Sequence, residues 1–201
     1  MKAVIFDFDG VILDTYENHY QNCKRKYENF SREEHKKLFE GNVHELKCNL
    51  KIKDSNVNVQ SLNKDFILKQ EVDKNILNVL KILKKDYLLF IISSNREYII
   101  KEFFQKQNLG DLFDEILGFE TEVKKDLKFK LILNKYNLKK EDVVFVTDTL
   151  GDILEANKMG VRTIAADFGF HEKERLEKGQ PYAIVSSFKD ILKIIKDLSV
   201  A

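Results

Sequence analysis

The chain has 201 residues, and its 34 Lys and Arg nearly cancel its 33 Asp and Glu, for a net charge of +1, so no global field steers it toward nucleic acid or an anionic membrane. That length holds one well-filled core plus an insertion. Two cysteines, Cys23 and Cys48, make neither a disulfide framework nor a close pair of metal ligands and read as reduced structural thiols.

Asp7 and Asp9 interrupt the first apolar run too early for a signal peptide. No segment reaches the length of a transmembrane helix, and a cytoplasmic location is the default expectation. Proline is nearly absent, Pro181 being the only one, and no repeat, linker or low-complexity tract stands out.

In chain order, Ala3-Val4-Ile5-Phe6 is a continuous apolar run of the kind a doubly covered parallel strand requires, and it ends in Asp7-Phe8-Asp9-Gly10-Val11. Taken alone, that acidic pair could be turn or N-cap chemistry. From Asp14 to about Gln70 the chain reads as charged helices. Tyr20, Cys23, Tyr27 and Phe30 form one apolar stripe, Ser31-Arg32-Glu33-Glu34 is a capping box, and Gly41 is a helix stop. Lys51 to Asn63 lacks a clear period and reads as loop with a short helix.

From Val72 onward, helix and strand alternate. A helical face through Ile76, Val79, Leu80 and Leu83 leads into the apolar run Tyr87 to Ile92, which ends in Ser93-Ser94-Asn95. A helix through Ile99, Ile100, Phe103 and Phe104 follows, then a short strand over Phe113 to Leu117, and a helix carrying Phe129, Ile132, Leu133 and Tyr136. Val143 to Val146 is the clearest buried strand and ends in Thr147-Asp148. Helix 151–158 closes at Gly160, and short strands are expected at Val161 to Ala166 and Tyr182 to Val185. The alternation implies an α/β fold with a doubly wound, mostly parallel sheet and right-handed crossovers. The stretch between the first two strands is too long for a plain crossover. It reads as a small inserted helical cap, with core at 1–14 and 72–201 and cap at 15–71.

In such a sheet the strand-end groups Asp7, Asp9, Ser93, Asp148 and Asp152 project from one edge, where open α/β sheets bind ligands. Lys124 and Lys125 precede a helix nearby. Several carboxylates converging on one point repel unless a divalent cation lies between them, and an all-oxygen set suits Mg²⁺. Neutralising the oxygens of a phosphate with Mg²⁺, a lysine and a serine hydroxyl addresses the main obstacle to phosphomonoester hydrolysis.

These clusters, in this order, resemble the four motifs of the haloacid dehalogenase-like (HAD) phosphohydrolase superfamily, over nearly the whole chain. Asp7-Phe8-Asp9-Gly10-Val11 resembles motif I, Ser93 motif II, and Asp148-Thr149-Leu150-Gly151-Asp152 motif IV; Gly160-Val161-Arg162-Thr163-Ile164 and Gly169 resemble the family's C-terminal part. The branch with a helical cap, that of phosphoglycolate phosphatase and β-phosphoglucomutase, is the nearest in pattern. The resemblance implies Asp7 as nucleophile forming an aspartyl-phosphate, and Asp9 as general acid and base with its carbonyl on the metal. It further implies Asp148 as a Mg²⁺ ligand, Asp152 as a ligand through water or an orienting group, and Ser93 with the Ser94 backbone as the phosphate cradle.

Two departures stand out. Motif III lacks the usual Lys-Pro, so Lys125 is the expected phosphate-binding lysine with Lys124 as the alternative. Thr147 replaces a common glycine and is expected to narrow the pocket floor. His44 is a solvated residue or a substrate contact from the cap, and Tyr16, His19, Tyr20 and Tyr27 are cap packing or entrance lining. The expected activity is Mg²⁺-dependent hydrolysis of a small phosphorylated metabolite. A phosphomutase or a non-catalytic metal-binding protein is the alternative, and the pattern is silent on oligomeric state.

Overall fold

The computed structural model describes residues 1–200 apart from positions 48 and 55, so Cys48 lies outside the described residues. Among the described residues, the apolar runs form six strands, β1 (Ala3–Phe6), β2 (Leu88–Ile92), β3 (Glu115–Leu117), β4 (Val143–Thr147), β5 (Arg162–Ala166) and β6 (Ala183–Val185). They make one all-parallel sheet in the order β3-β2-β1-β4-β5-β6.

Successive strand residues point to opposite faces, which divides the core into two layers. Val4, Phe6, Leu89, Ile91, Val144 and Val146 face α5 (Lys74–Leu83), α6 (Glu97–Gln105) and α10 (Phe188–Val200), which contribute Leu80, Phe103, Phe104 and Ile195. Ala3, Ile5, Phe90, Ile92 and Phe145 face α7 (Lys125–Lys135) and α8 (Leu150–Met159), with Phe129, Ile132 and Ala156. Full burial of one such side chain contributes about 1.5–3 kcal/mol, so the central strands anchor the molecule. Ile191, Ile195 and Leu198 carry a helical apolar period that identifies α10, an element the strand-centred reading of the sequence passes over. The short α9 (Lys173–Glu177) is likewise additional.

Between β1 and β2, α1 (Tyr16–Lys26), α2 (Arg32–Lys37), α3 (Val43–Lys47) and α4 (Val59–Ile67) surround their own apolar cluster of Tyr20, Cys23, Phe30, Leu38 and Val43. The Ser31 capping box is present, with Ser31 Oγ accepting from the Glu34 N–H and Glu34 accepting from the Ser31 N–H. The stretch read as mostly loop begins α4 at Val59, capped by Asn58, and Ile67 at its end is buried in the main core.

Candidate active site

Phe6 pairs with Ile91 on one side and Val146 on the other, so the residues that follow β1, β2 and β4 emerge together at one edge. The Asp7 N–H extends the ladder to the Val146 carbonyl at 2.8 Å, and the Ser93 N–H to the Leu117 carbonyl at 3.0 Å. These are the carboxyl ends of the strands at the centre of the sheet, where connections diverge to either side and leave a crevice.

Lys125, at the start of α7, donates to Asp7 Oδ2 and Asp152 Oδ2 at 2.6 Å each, with its side chain 3% exposed. The expected choice between two lysines resolves in geometry: Lys124 points outward and pairs with Glu45 at 3.0 Å. Asp7 Oδ1 accepts from the Phe8 N–H at 2.7 Å, which fixes the plane of the carboxylate. Thr15 Oγ1 donates to Asp9 Oδ1 at 2.8 Å and Asn95 Nδ2 to Asp9 Oδ2 at 3.0 Å. Ser93 Oγ accepts from the Asn95 N–H at 3.0 Å. Thr147 does more than narrow the floor, since its hydroxyl donates to Asp152 Oδ2 at 2.7 Å.

Asp148 is fully buried; its Oδ2 accepts from the Phe170 N–H at 2.7 Å, and its Oδ1 has no partner among the described residues. A buried carboxylate oxygen left bare costs free energy unless something fills the position, and a hard cation is the chemistry it lacks. Gly10, at φ +75°, makes room for it, since a Cβ there would lie 1.9 Å from Asp148 Oδ2. Asp148, with Asp7 and Asp152 beside it, would hold such a cation.

Burial pushes the Asp7 carboxyl well above its usual range against the pull of Lys125, and pushes Asp148 up to about 8. Burial opposes ionisation of Asp152 as well, but Lys125 and the hydrogen bonds it receives hold it below the ordinary carboxylate value. Asp9 is raised by burial despite donors from Thr15 and Asn95.

A cavity of about 420 Å³ opens above these residues toward the helical insertion. Asn18, His19, Tyr27, His44, Lys47, Asn63 and Phe119 line it with Asp7, Asp9, Ser93 and Ser94. His44 is half-buried. Its Nε2 lies 3.2 Å from the Ser94 carbonyl, its ring is tilted against Phe119 with centroids 4.5 Å apart, and burial lowers its pKa to about 4.

The insertion is fastened to the core by polar contacts. Gly151 donates its N–H to the Phe39 carbonyl at 2.8 Å, and a Cβ on Gly151 would lie 2.5 Å from the Gly41 oxygen. Arg175 pairs with Glu33 at 2.9 Å and with Glu40, and Lys36 pairs with Glu172 at 2.6 Å. His171 takes the Leu150 N–H on Nδ1 at 3.0 Å and donates from Nε2 to the Lys36 carbonyl at 2.9 Å.

Several residues of the site escape a reading of motifs. Thr15 and Asn95 hold Asp9, Glu155 accepts the Lys125 N–H, and Lys128 buries its ammonium against the Ser93 carbonyl. Burial pushes the Lys128 pKa down to about 8. A lysine among apolar positions at helical spacing, three residues after Lys125, was the available signal for Lys128.

Comparison with known proteins adds an independent line. The phosphoglycolate phosphatase of Aliivibrio fischeri is 26% identical over 115 residues, 56% of this chain and 51% of that protein. That of Synechococcus elongatus is 21% identical over 98% of this chain and 99% of its own length. The aligned stretches of this chain span about half the length, or less, of the first curated relatives it matches. A haloacid dehalogenase-like family hydrolase from Streptococcus pneumoniae shares the fold with a TM-score of 0.76 at 19% identity, covering 97% of this chain and 98% of that one. The family model described as haloacid dehalogenase-like hydrolase matches residues 4–166, from the first residues of β1 to the end of β5, and the chain therefore belongs to that family.

Proposed function

We propose that this protein is a Mg²⁺-dependent phosphatase that hydrolyses a small phosphomonoester through an aspartyl-phosphate on Asp7. The observation that carries the reading is the pairing of buried Asp7 with Lys125 beside the bare, buried Asp148 oxygen. The family match and the phosphoglycolate phosphatases among the relatives support it.

In this reading an Asp7 carboxylate oxygen bonds to phosphorus as the bond from phosphorus to the substrate's ester oxygen breaks. Lys125 pulls Asp7 toward its ionised form against burial and orients it. Asp9 gives its proton to the leaving oxygen, then takes one from the water that attacks phosphorus, which releases inorganic phosphate and restores Asp7. Ser93 and the Ser94 backbone hold the oxygens of the transferring group. Bound Mg²⁺ would supply positive charge to those oxygens and relieve repulsion among the carboxylates. The insertion, seated on the core, would exclude bulk water while the acyl phosphate exists.

A panel of phosphorylated metabolites that includes phosphoglycolate, sugar phosphates and nucleotides tests the proposal when ranked by kcat/KM with Mg²⁺ and with EDTA. Inorganic phosphate equal to substrate consumed, lost with EDTA and in Asp7→Asn, is the expected result. Turnover that persists in Asp7→Asn would overturn it, and an isomerised sugar phosphate without free phosphate would make the protein a mutase.

A further inference from the structure

His19 and Cys23 lie four residues apart on one face of α1, and His35 reaches the same point from α2. Their ligand atoms all fall within 4.8 Å of one another. His19 Nδ1 is 2.7 Å from His35 Nε2, and Cys23 Sγ is 3.8 Å from His19 Nδ1. The spacing escapes a search for cysteine pairs because two of the three groups are imidazoles. The catalytic reading above uses none of them.

We propose that His19 Nδ1, Cys23 Sγ and His35 Nε2 form a Zn²⁺ site in the helical insertion, at the wall of the substrate cavity. The ligand chemistry fits, since two imidazoles and a thiolate form a borderline-soft set that suits Zn²⁺ and gives Mg²⁺, which prefers oxygen, nothing to bind. Three protein ligands leave a fourth position for water or a ligand oxygen, and both His19 and Cys23 line the cavity. At Zn–N distances of about 2.0–2.1 Å, the two nitrogens of a tetrahedral site stand about 3.3 Å apart. The two nitrogens, now 2.7 Å apart, therefore need to separate by about 0.6 Å, within ordinary side-chain movement. Tyr16, Phe39 and Phe170 wall the imidazoles at ring-centroid distances of 5.1–6.2 Å, an apolar surround that strengthens a metal–thiolate bond.

Both imidazoles are held neutral by burial, the form in which histidine ligates. Lys47 Nζ lies 3.2 Å from His19 Nε2, which places the His19 proton on Nδ1, shared with His35. Zn²⁺ binding then replaces two protons, one from the Cys23 thiol and one that leaves Nδ1 as Lys47 passes its own to Nε2. The net charge of the cluster is unchanged, so the nearby lysine does not oppose the ion.

Cobalt is the spectroscopic probe, because a cysteine thiolate bound to Co²⁺ gives a ligand-to-metal charge-transfer band in the near ultraviolet. The full chain, stripped of transition metals and kept in Mg²⁺, is titrated with Co²⁺ and then with Zn²⁺. One equivalent of Co²⁺ should produce the band in the wild type and in Cys48→Ser, and Zn²⁺ should abolish it. Cys23→Ser, which is nearly isosteric, should lose the band and bind Zn²⁺ at least about 100-fold more weakly, since outer-shell losses alone cost about 10–100-fold. His35→Gln, with its fold verified by circular dichroism, should lower Zn²⁺ affinity comparably. No band in the wild type, or a band lost in Cys48→Ser and kept in Cys23→Ser, overturns the proposal. The readouts do not depend on phosphatase activity, so failure here and failure of the catalytic reading are separate results.

Discussion

Replacing Lys125 with Met keeps the length of the stem and removes the charge that two buried carboxylates share. Both contacts are 2.6 Å, and the side chains are 3%, 9% and 13% exposed for Lys125, Asp7 and Asp152. Removal of one partner from a buried ion pair costs about 3–5 kcal/mol, because the charge left behind has neither water nor counterion. In the variant Asp7 and Asp152 face each other uncompensated, and one of them takes a proton near neutral pH. The loss should therefore appear in urea denaturation without added metal. Mg²⁺ should restore part of it, about 2.7 kcal/mol at 100 times its dissociation constant. A nucleophile that is protonated, or no longer oriented, should lower kcat/KM by about 10³ or more, the rate equivalent of about 4 kcal/mol. A variant with the wild-type urea midpoint and kcat/KM within about threefold of wild type would refute the argument that Lys125 favours the ionised, oriented form of Asp7.

Lys124→Ala is the paired control: its exposed ammonium pairs with Glu45 and not with Asp7 or Asp152, so kcat/KM should stay within about threefold of wild type. Gly10→Ala places a Cβ against Asp148 at positive φ, and should cost at least about 1–3 kcal/mol in urea denaturation and weaken Mg²⁺ activation. Lys128 has its pKa lowered to about 8 by burial, so between that pH and the ordinary lysine value the unfolded chain binds more protons than the folded one. Wild-type stability should accordingly rise with pH across that window relative to Lys128→Met, and a difference that stays flat or moves the other way would contradict the assignment.

Much of the fold is legible in the sequence because parallel strands covered on both faces need unbroken apolar runs, and Ala3–Phe6, Leu88–Ile92 and Val143–Thr147 supply them. Asp7 and Asp148 are legible for the same reason: each follows its run directly. Lys125 could be narrowed only to a pair, since the choice depends on whether Lys124 or Asp126 caps α7, and Lys124 occupies the N-cap position. The supports of Asp9 are another matter. Thr15 and Asn95 lie 6 and 86 residues from it, on different loops, and their hydroxyl and amide resemble any turn residue until the chain is folded. His44 presents the same difficulty, since its place against Ser94 and Phe119 depends on how the insertion sits on the core.

The central claim is that phosphorus bonds to Asp7, and chemical trapping tests it most directly. Enzyme quenched during turnover with Mg²⁺ and substrate is reduced with borohydride, which converts an aspartyl-phosphate to homoserine, and its peptides are sequenced by mass spectrometry. The account predicts homoserine at position 7, absent when substrate is omitted and absent in Asp7→Asn. Homoserine at Asp9, Asp148 or Asp152 with Asp7 intact would contradict it.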